Sequence, residues 1–487
     1  MSQAPSAPFS ETKAPEAPER LHRGALGLLD ISASTMANIG PAYSFYFGFA
    51  FLVFTAGVAA PLTIIVAGIA IALLGNTLAQ FSRVHPSTGG FISFVGKTFG
   101  STSAVTTALL CGAGYIIAIS AVLAISGGFL SITLKQYLNW NVPWGIFAVL
   151  LTIGAVLMMI RGVAVSTKLA GLFFGFEMLV LVVVSVTVLI KDHGSLSAIP
   201  FEPSHITKGF SGLAAGFPLA IYLFIGWENS AALAEETSNP RRNVPRAVFL
   251  SIGLMAVSYV LFAYATVSGF HNNGTALSGA PIPFISVAHT VLASFAFFAY
   301  LAGLTSTLGV LISAVNSQAR LIFNAGREGL LPGWIGRVHP ARRTPMNAIY
   351  AFVAIASAII IVWAIGHLAG GHSGSMNPLI FFAESSTMGT ILILVVYFLS
   401  NLALPFYYRK FRPAEFSVVK HLVLPILGMV AIAVPVYYLA KPGQAAPYDW
   451  FPYAALIIVV LAVIYAAVLT RRDPSLGERV GSIVADE

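Results

Sequence analysis

The sequence predicts an all-α polytopic membrane protein of twelve transmembrane helices, and three observations carry that expectation. Charged residues are 9% of the 487 positions and hydrophobic ones 57%, against roughly 25% and 45–50% in soluble globular chains. A window of about 19 residues finds twelve apolar segments, each long enough for a hydrocarbon core of roughly 30 Å. With the N-terminus inside, 22 of the 26 Lys and Arg fall on the cytoplasmic side, and only Lys135, Lys191, Lys208 and Lys441 fall outside. That asymmetry places both termini in the cytoplasm.

The elements follow in order. Residues 1–22 are rich in Pro, Ala and Ser with no apolar core, which reads as a disordered cytoplasmic tail and not a signal peptide. Segments near 27–54, 58–82, 102–134, 143–161 and 168–190 make a first set, about 27–190; segments near 210–234, 246–269, 286–318, 347–369 and 378–405 make a second, about 210–405. Together they form a ten-helix core, 23–405. Segments near 419–439 and 450–470 add helices eleven and twelve within 406–472, and 473–487 is a cytoplasmic C-terminal tail. Pro240 and Pro245 are expected to end one helix and start the next, with Asn243 as its cap. Cys111, the single cysteine, sits in an apolar run as a small hydrophobe. His289, inside another run, is expected to be a hydrogen-bonded packing residue.

Composition and motifs exclude several classes of function. No HExxH and no paired-carboxylate spacing appears, so neither a metal site nor a membrane enzyme is indicated. No Gly-rich phosphate loop and no sizeable soluble segment is present to hydrolyse ATP, and no cofactor is implied. The net charge of +8 is scattered between apolar segments, so the bilayer, and not nucleic acid, is the partner it indicates.

Two segments carry helix interruptions. Segment one contains "MANIGPAYSF", where Pro41 after Gly40 has no N–H to donate and clashes with the preceding turn. Segment six contains "LFIGWENSA". Both interruptions hold Ile-Gly, at Ile39-Gly40 and Ile225-Gly226, in equivalent places if spans one to five and six to ten are repeats. Paired broken helices of this kind expose backbone groups near the membrane midplane to a solute.

The stretch "FIGWENSAALAEETSNPRRNVPRA", Phe224 to Ala247, resembles the sixth-helix signature of the amino acid, polyamine and organocation (APC) superfamily. "HPSTGGFISFVGKTFG", His85 to Gly100, and "NSQARLIFNAGREGLLPGWIGRVHPARRTPMNA", Asn316 to Ala348, resemble its segments after helices two and eight. The resemblance implies a LeuT-type five-plus-five inverted repeat with broken helices one and six, in the cell membrane. It implies a permease working by alternating access on an amino acid, with a polyamine or other amine as the alternative, by symport or exchange.

By the same resemblance, the backbones of Ala37, Asn38, Ile39, Gly40, Ala42 and Tyr43, and of Phe224, Ile225 and Gly226, contact substrate. Helix-start amides would receive a carboxylate, unwound carbonyls an ammonium. Many amino-acid members carry Gly-Ser-Gly at the first break; here Pro41 deletes a donor, which keeps an amine in play. Tyr222 matches an aromatic lid, with Trp227 beside the second break.

Acids inside a membrane are functional by default, at a cost of about 2.5–3.5 kcal/mol each on insertion scales. Glu228 stands where a related antiporter has a glutamate implicated in proton sensing. Glu177 stands where several proton-coupled members have a lysine, so it is expected as a proton carrier or a partner for a cationic substrate. Glu384 is a third embedded acid. Near a sodium-like site between helices one, five and eight, only Ser313 offers a hydroxyl, so the residues favour protons. Glu235 and Glu236 are expected to pair with Arg320, Arg327 or Arg246 as an inner gate.

Overall fold

The computed structural model describes residues 24–161, 163–340, 342, 344–369, 376–444 and 446–479. The expected tail over 1–22, and the C-terminal tail beyond Arg479, lie outside the described residues. Among those described, the chain is helical, and its one β feature is an isolated parallel bridge between Leu26 and Thr237. Nine helical stretches among them are long and apolar enough to cross a membrane; one of these, Leu28–Val84, takes in two of the expected segments. Two shorter apolar helices, Trp144–Met159 and Gly209–Tyr222, fall on expected segments four and six.

The first break forms as its residues require. Helix α1 (Leu28–Ile39) stops at Gly40, whose φ of 63° suits a residue without Cβ. Its N–H closes the helix on the Met36 carbonyl at 3.0 Å. Pro41, with φ preset and no amide to satisfy, then opens α2 (Pro41–Tyr43). The chain runs on through a π-helical turn, Ser44–Phe49, into α3 (Ala50–Ala56). Next come α4 (Ala60–Val84), α5 (Phe91–Phe99), α6 (Ser101–Leu138), α7 (Trp144–Met159) and α8 (Val163–Lys191).

The second half begins with α9 (Gly209–Tyr222), which gives way to turns over 223–228 before the short α10 (Asn229–Ala232). Gly226, at φ 108°, lies in those turns. Helices α11 (Pro240–Gly269), α12 (Gly274–Gly279), α13 (Pro283–Leu292), α14 (Phe297–Arg327), α15 (Met346–Ala369), α16 (Pro378–Phe411), α17 (Leu424–Ala440) and α18 (Phe451–Arg472) follow.

Two boundaries differ from expectation. Helix α11 starts at Pro240, so Pro245 lies inside it and Asn243 is not its cap; the Asn243 side chain instead donates to the Ser238 carbonyl at 2.6 Å. A proline in the second turn removes one hydrogen bond near an exposed helix end, a loss the membrane-embedded part of α11 does not feel. The expected eighth segment is two helices, because Ala293 takes φ 49° between α13 and α14.

Helices divide into an inner and an outer set. In α6, 78% of the apolar window is buried, whereas in α18 the figure is 17%, leaving Leu456, Val460 and Ile464 on the surface. Inner helices therefore build the site and outer ones meet lipid. His289 lies 3.3 Å from the Tyr300 hydroxyl, and Cys111 is buried.

Candidate functional site: the paired helix breaks

The two breaks lie against each other. The Asn38 side chain donates to the Gly226 carbonyl at 3.4 Å, and a Cβ on Gly226 would sit 3.0 Å from Asn38 Cγ. A Cβ on Gly40 would run into Val310 Cγ2 of α14. Neither position admits a side chain without displacement of the other elements.

Each break holds a carboxylate. The first amides of a helix have no intrahelical partner and draw negative charge. At the first break, the Ala42 N–H donates to Glu177 Oε2 at 2.9 Å and the Tyr43 N–H donates to Ser306 Oγ at 2.9 Å. The Ser306 hydroxyl also lies at the Glu177 carboxylate. At the second, the Gly226 N–H donates to Glu228 Oε2 at 3.2 Å, while the Tyr115 hydroxyl from α6 donates to Oε1 at 2.5 Å. Glu177 is 1% exposed and Glu228 7%. No Lys, Arg or His pairs with either among the described residues.

Between the breaks lie two small cavities that share Asn38 and Gln318. One, of about 30 Å³, is bordered by Tyr43, Tyr222, Ile225 and Ala118; the other, of about 10 Å³, is bordered by Tyr115, Glu228 and Asn229. Spaces of that size hold no more than a water or two. Gln318 Oε1 and Asn229 Oδ1 are buried there without a hydrogen-bond partner. One side is closed by aromatics: the Tyr43 and Tyr222 hydroxyls are 2.6 Å apart, and both rings meet Phe382 edge-on at 5.6 Å between centroids.

The other side is closed by charge. Arg320 grips Glu236 with two bonds, Nε to Oε2 at 2.9 Å and Nη2 to Oε1 at 3.2 Å, and both side chains are 1% exposed. Arg320 Nη1 donates to the Asn316 carbonyl. Arg327 Nη2 meets Glu235 Oε1 at 2.6 Å, and its guanidinium lies 4.6 Å from the centre of the Phe323 ring. The backbone of the same segment is held too: Leu26 N–H donates to the Glu236 carbonyl and Ser238 N–H to the Leu26 carbonyl, both at 2.9 Å. Thr88, in the loop before α5, accepts from the Glu235 N–H at 3.3 Å.

The amino acid permease family model matches residues 26–464. The chain belongs to the amino acid permease family. Its relatives include the methylthioribose transporter of Bacillus subtilis, 24% identical over 424 residues that cover 83% of this chain and 84% of that protein. The branched-chain amino acid permease BcaP of Lactococcus lactis is 25% identical across 72% of this chain and 76% of its own length. Human cationic amino acid transporter 4 is 27% identical across 61% and 48%. The chain is a multi-pass membrane protein of the APC superfamily, and not an enzyme.

In the permease, Asn38, Ile39, Tyr43, Tyr222, Ile225 and Glu228 border the cavities. Ala37, Gly40, Ala42, Phe224, Gly226 and Trp227 do not. Trp227 packs between Phe91 and Tyr397, with centroids 6.2 and 5.5 Å away, and Phe224 meets Tyr259 edge-on. Arg246 makes no ion pair with Glu235 or Glu236, whose partners are Arg327 and Arg320. Glu384 belongs to other surroundings, half-buried on α16 and accepting from the Trp363 indole at 3.0 Å. Ser313 donates to the Ser34 carbonyl at 2.7 Å, so it serves an α1 to α14 contact.

Gln318, Asn229, Tyr115, Ser306 and Phe382 border the cavities or contact residues of the breaks, and sequence reasoning did not single them out. Asn229 and Gln318 do lie inside stretches quoted for the resemblance. Tyr115 and Phe382 carry no local signal, since nothing within α6 or α16 marks them.

His85, just past α4 and outside the spanning segments, has its imidazole pushed down to about 4 by burial and then by the nearby Lys97 and Arg241 charges. It is neutral from pH 5 to 8. Its contribution to stability is present above pH 6.5 and is lost as pH falls through about 4. Substituting His85→Gln is therefore expected to leave the midpoint of any transport pH profile above 5 in place, read as initial uptake rate against pH.

Proposed function

We propose that the permease is a proton-coupled secondary active transporter of a small solute bearing an amino group, an amino acid or its amine, working by alternating access. The observation that carries this is the pair of buried carboxylates, Glu177 and Glu228, each bonded to a backbone amide of a helix break and neither paired with a base. A carboxylate so placed changes its grip on the break when it takes a proton, because hydrogen bonds to charged acceptors are roughly twice as strong as neutral ones. Protonation of Glu228 weakens its hold on Gly226 and Tyr115, and the break loosens.

The reading includes twelve transmembrane helices in a five-plus-five inverted repeat, with both termini in the cytoplasm by the distribution of Lys and Arg. The Arg320–Glu236 and Arg327–Glu235 pairs are then the inner gate, and the Tyr43–Tyr222–Phe382 cluster the outer lid. The names of the relatives span methylthioribose, branched-chain and cationic amino acids, so the solute is read from the site and not from kinship.

Uptake into liposomes holding the purified protein tests it. An inward proton gradient is expected to accelerate saturable uptake of a labelled solute, and Glu228→Gln to return the rate to its value without the gradient. Uptake that ignores pH in the wild type and in both Glu228→Gln and Glu177→Gln would remove protons from the mechanism. Flux without saturation or counterflow would mark a channel.

A further inference from the structure

We propose that Glu177 is the specificity-determining residue of the first break: its carboxylate takes the Ala42 amide, beside Ser306 on the Tyr43 amide, and turns away solutes that carry a carboxylate of their own. The inference rests on the transporter reading above and narrows its solute to amines without a carboxylate.

Three observations converge on it. The amides at which a solute carboxylate would dock are already used. Pro41 has none, Ala42 donates to Glu177, Tyr43 donates to Ser306, and across the cavity Gly226 donates to Glu228. Next, charge is unbalanced: two carboxylates border the breaks with no basic side chain paired to them. A solute carboxylate arriving there competes with two resident carboxyl groups for the same amides, and no basic side chain among the described residues is paired there to receive it. A zwitterion adds no net charge, whereas an amine brings the cation that balances one acid.

The third is the chemistry of the unsatisfied atoms. Gln318 Oε1 and Asn229 Oδ1 are buried acceptors, in residues 6% and 2% exposed; Gln318 borders both cavities and Asn229 the smaller one. An ammonium has three N–H donors and no acceptor, so it completes them. Tyr43 and Tyr222, which border the larger cavity, supply aromatic rings for a cation and its alkyl stem.

The test uses the reconstituted full chain and matched pairs of compounds that differ only in the carboxylate: lysine and cadaverine, ornithine and putrescine, arginine and agmatine, leucine and isoamylamine. Each is measured as a competitor in counterflow. In the wild type the amine of the preferred pair is expected to compete at least 10-fold better than its amino acid. Glu177→Ala, which frees the Ala42 amide and removes the charge, is expected to cut that ratio at least 10-fold, while Glu177→Asp keeps it.

A merely structural role for Glu177 lowers both members of a pair together and leaves the ratio unchanged; that result overturns the proposal. A wild type that prefers the amino acid overturns it as well, leaving the transporter reading intact. Competition by neither member of any pair removes the amino-group reading itself, and the proposal with it. Should Glu177→Ala fail to fold, Glu177→Gln keeps the shape and removes the charge, and an unchanged ratio there also overturns the proposal.

Discussion

Arg320→Ala is expected to destabilise the permease by about 3–5 kcal/mol, the range found when one partner of a buried ion pair is removed. The size of the effect comes from what is left behind. Glu236 is left at 1% exposure without both guanidinium bonds. Thermal unfolding in detergent measures it. The double variant Arg320→Met with Glu236→Leu replaces the pair by apolar groups and is expected to recover most of the loss, since such exchanges are often neutral or better.

A second readout separates stability from gating. In Arg320→Ala, a cysteine introduced at Ser317, beside the cavity that Glu228 borders, is expected to label faster from the inner face. Cys111, the one native cysteine, is buried and gives little background. Equal labelling rates in wild type and variant would mean that the pair does not hold this side shut.

Gly40→Ala is the other large effect expected. Two costs add: a left-handed φ of 63° at a residue with Cβ, about 1–2 kcal/mol, and overlap of that Cβ with Val310, about 1–3 kcal/mol where packing is tight. Adding Val310→Ala relieves the second cost and not the first. The double variant is therefore expected to recover part of the stability lost by Gly40→Ala, read as the difference in unfolding midpoint. Full recovery would show that the backbone conformation is unstrained, and no recovery that Val310 yields freely.

Transport responds to Gly40→Ala beyond its stability cost. The clash pushes α1 from α14, and with it Asn38, whose side chain holds the Gly226 carbonyl. Both breaks are thereby disturbed by one methyl group. Initial uptake rate, normalised to folded protein, is expected to fall at least 10-fold.

What could be read from the residues, and what could not, divides by sequence separation. The Gly40-Pro41 break was legible because proline and glycine act on their own backbone: a missing amide and a left-handed φ need no partner to take effect. The same holds for Gly226. Glu228 and Glu177 stood out because acids are rare in such apolar runs. Their partners did not. Tyr115 lies 113 positions from Glu228 and Glu177 lies 135 from Ala42, and no local pattern reports which side chains packing will join at that range.

Two placements depend on packing that local pattern does not report. Trp227 borders a break in sequence, yet its ring packs between Phe91 and Tyr397, because the turns over 223–228 rotate successive residues in ways neither helical nor strand periodicity describes. Pro245 looked like a helix start because proline favours the first turn. Pro240 had taken that place already, and α11 simply runs through the later proline.

The bridge between Leu26 and the 236–238 segment has a mechanical consequence. Leu26 leads into α1, which ends at Gly40; Glu236 follows α10, which begins just past Gly226. The two half-helices thus have a pivot at one end and a shared tie-bar at the other. Swinging either alone would strip two backbone hydrogen bonds from a tie whose Leu26 and Glu236 are buried, where unmade bonds are expensive. Swinging both together keeps those bonds while parting the side-chain pairs to α14 and the Glu235–Thr88 bond. The geometry therefore favours one concerted displacement of the two half-helices over two successive ones.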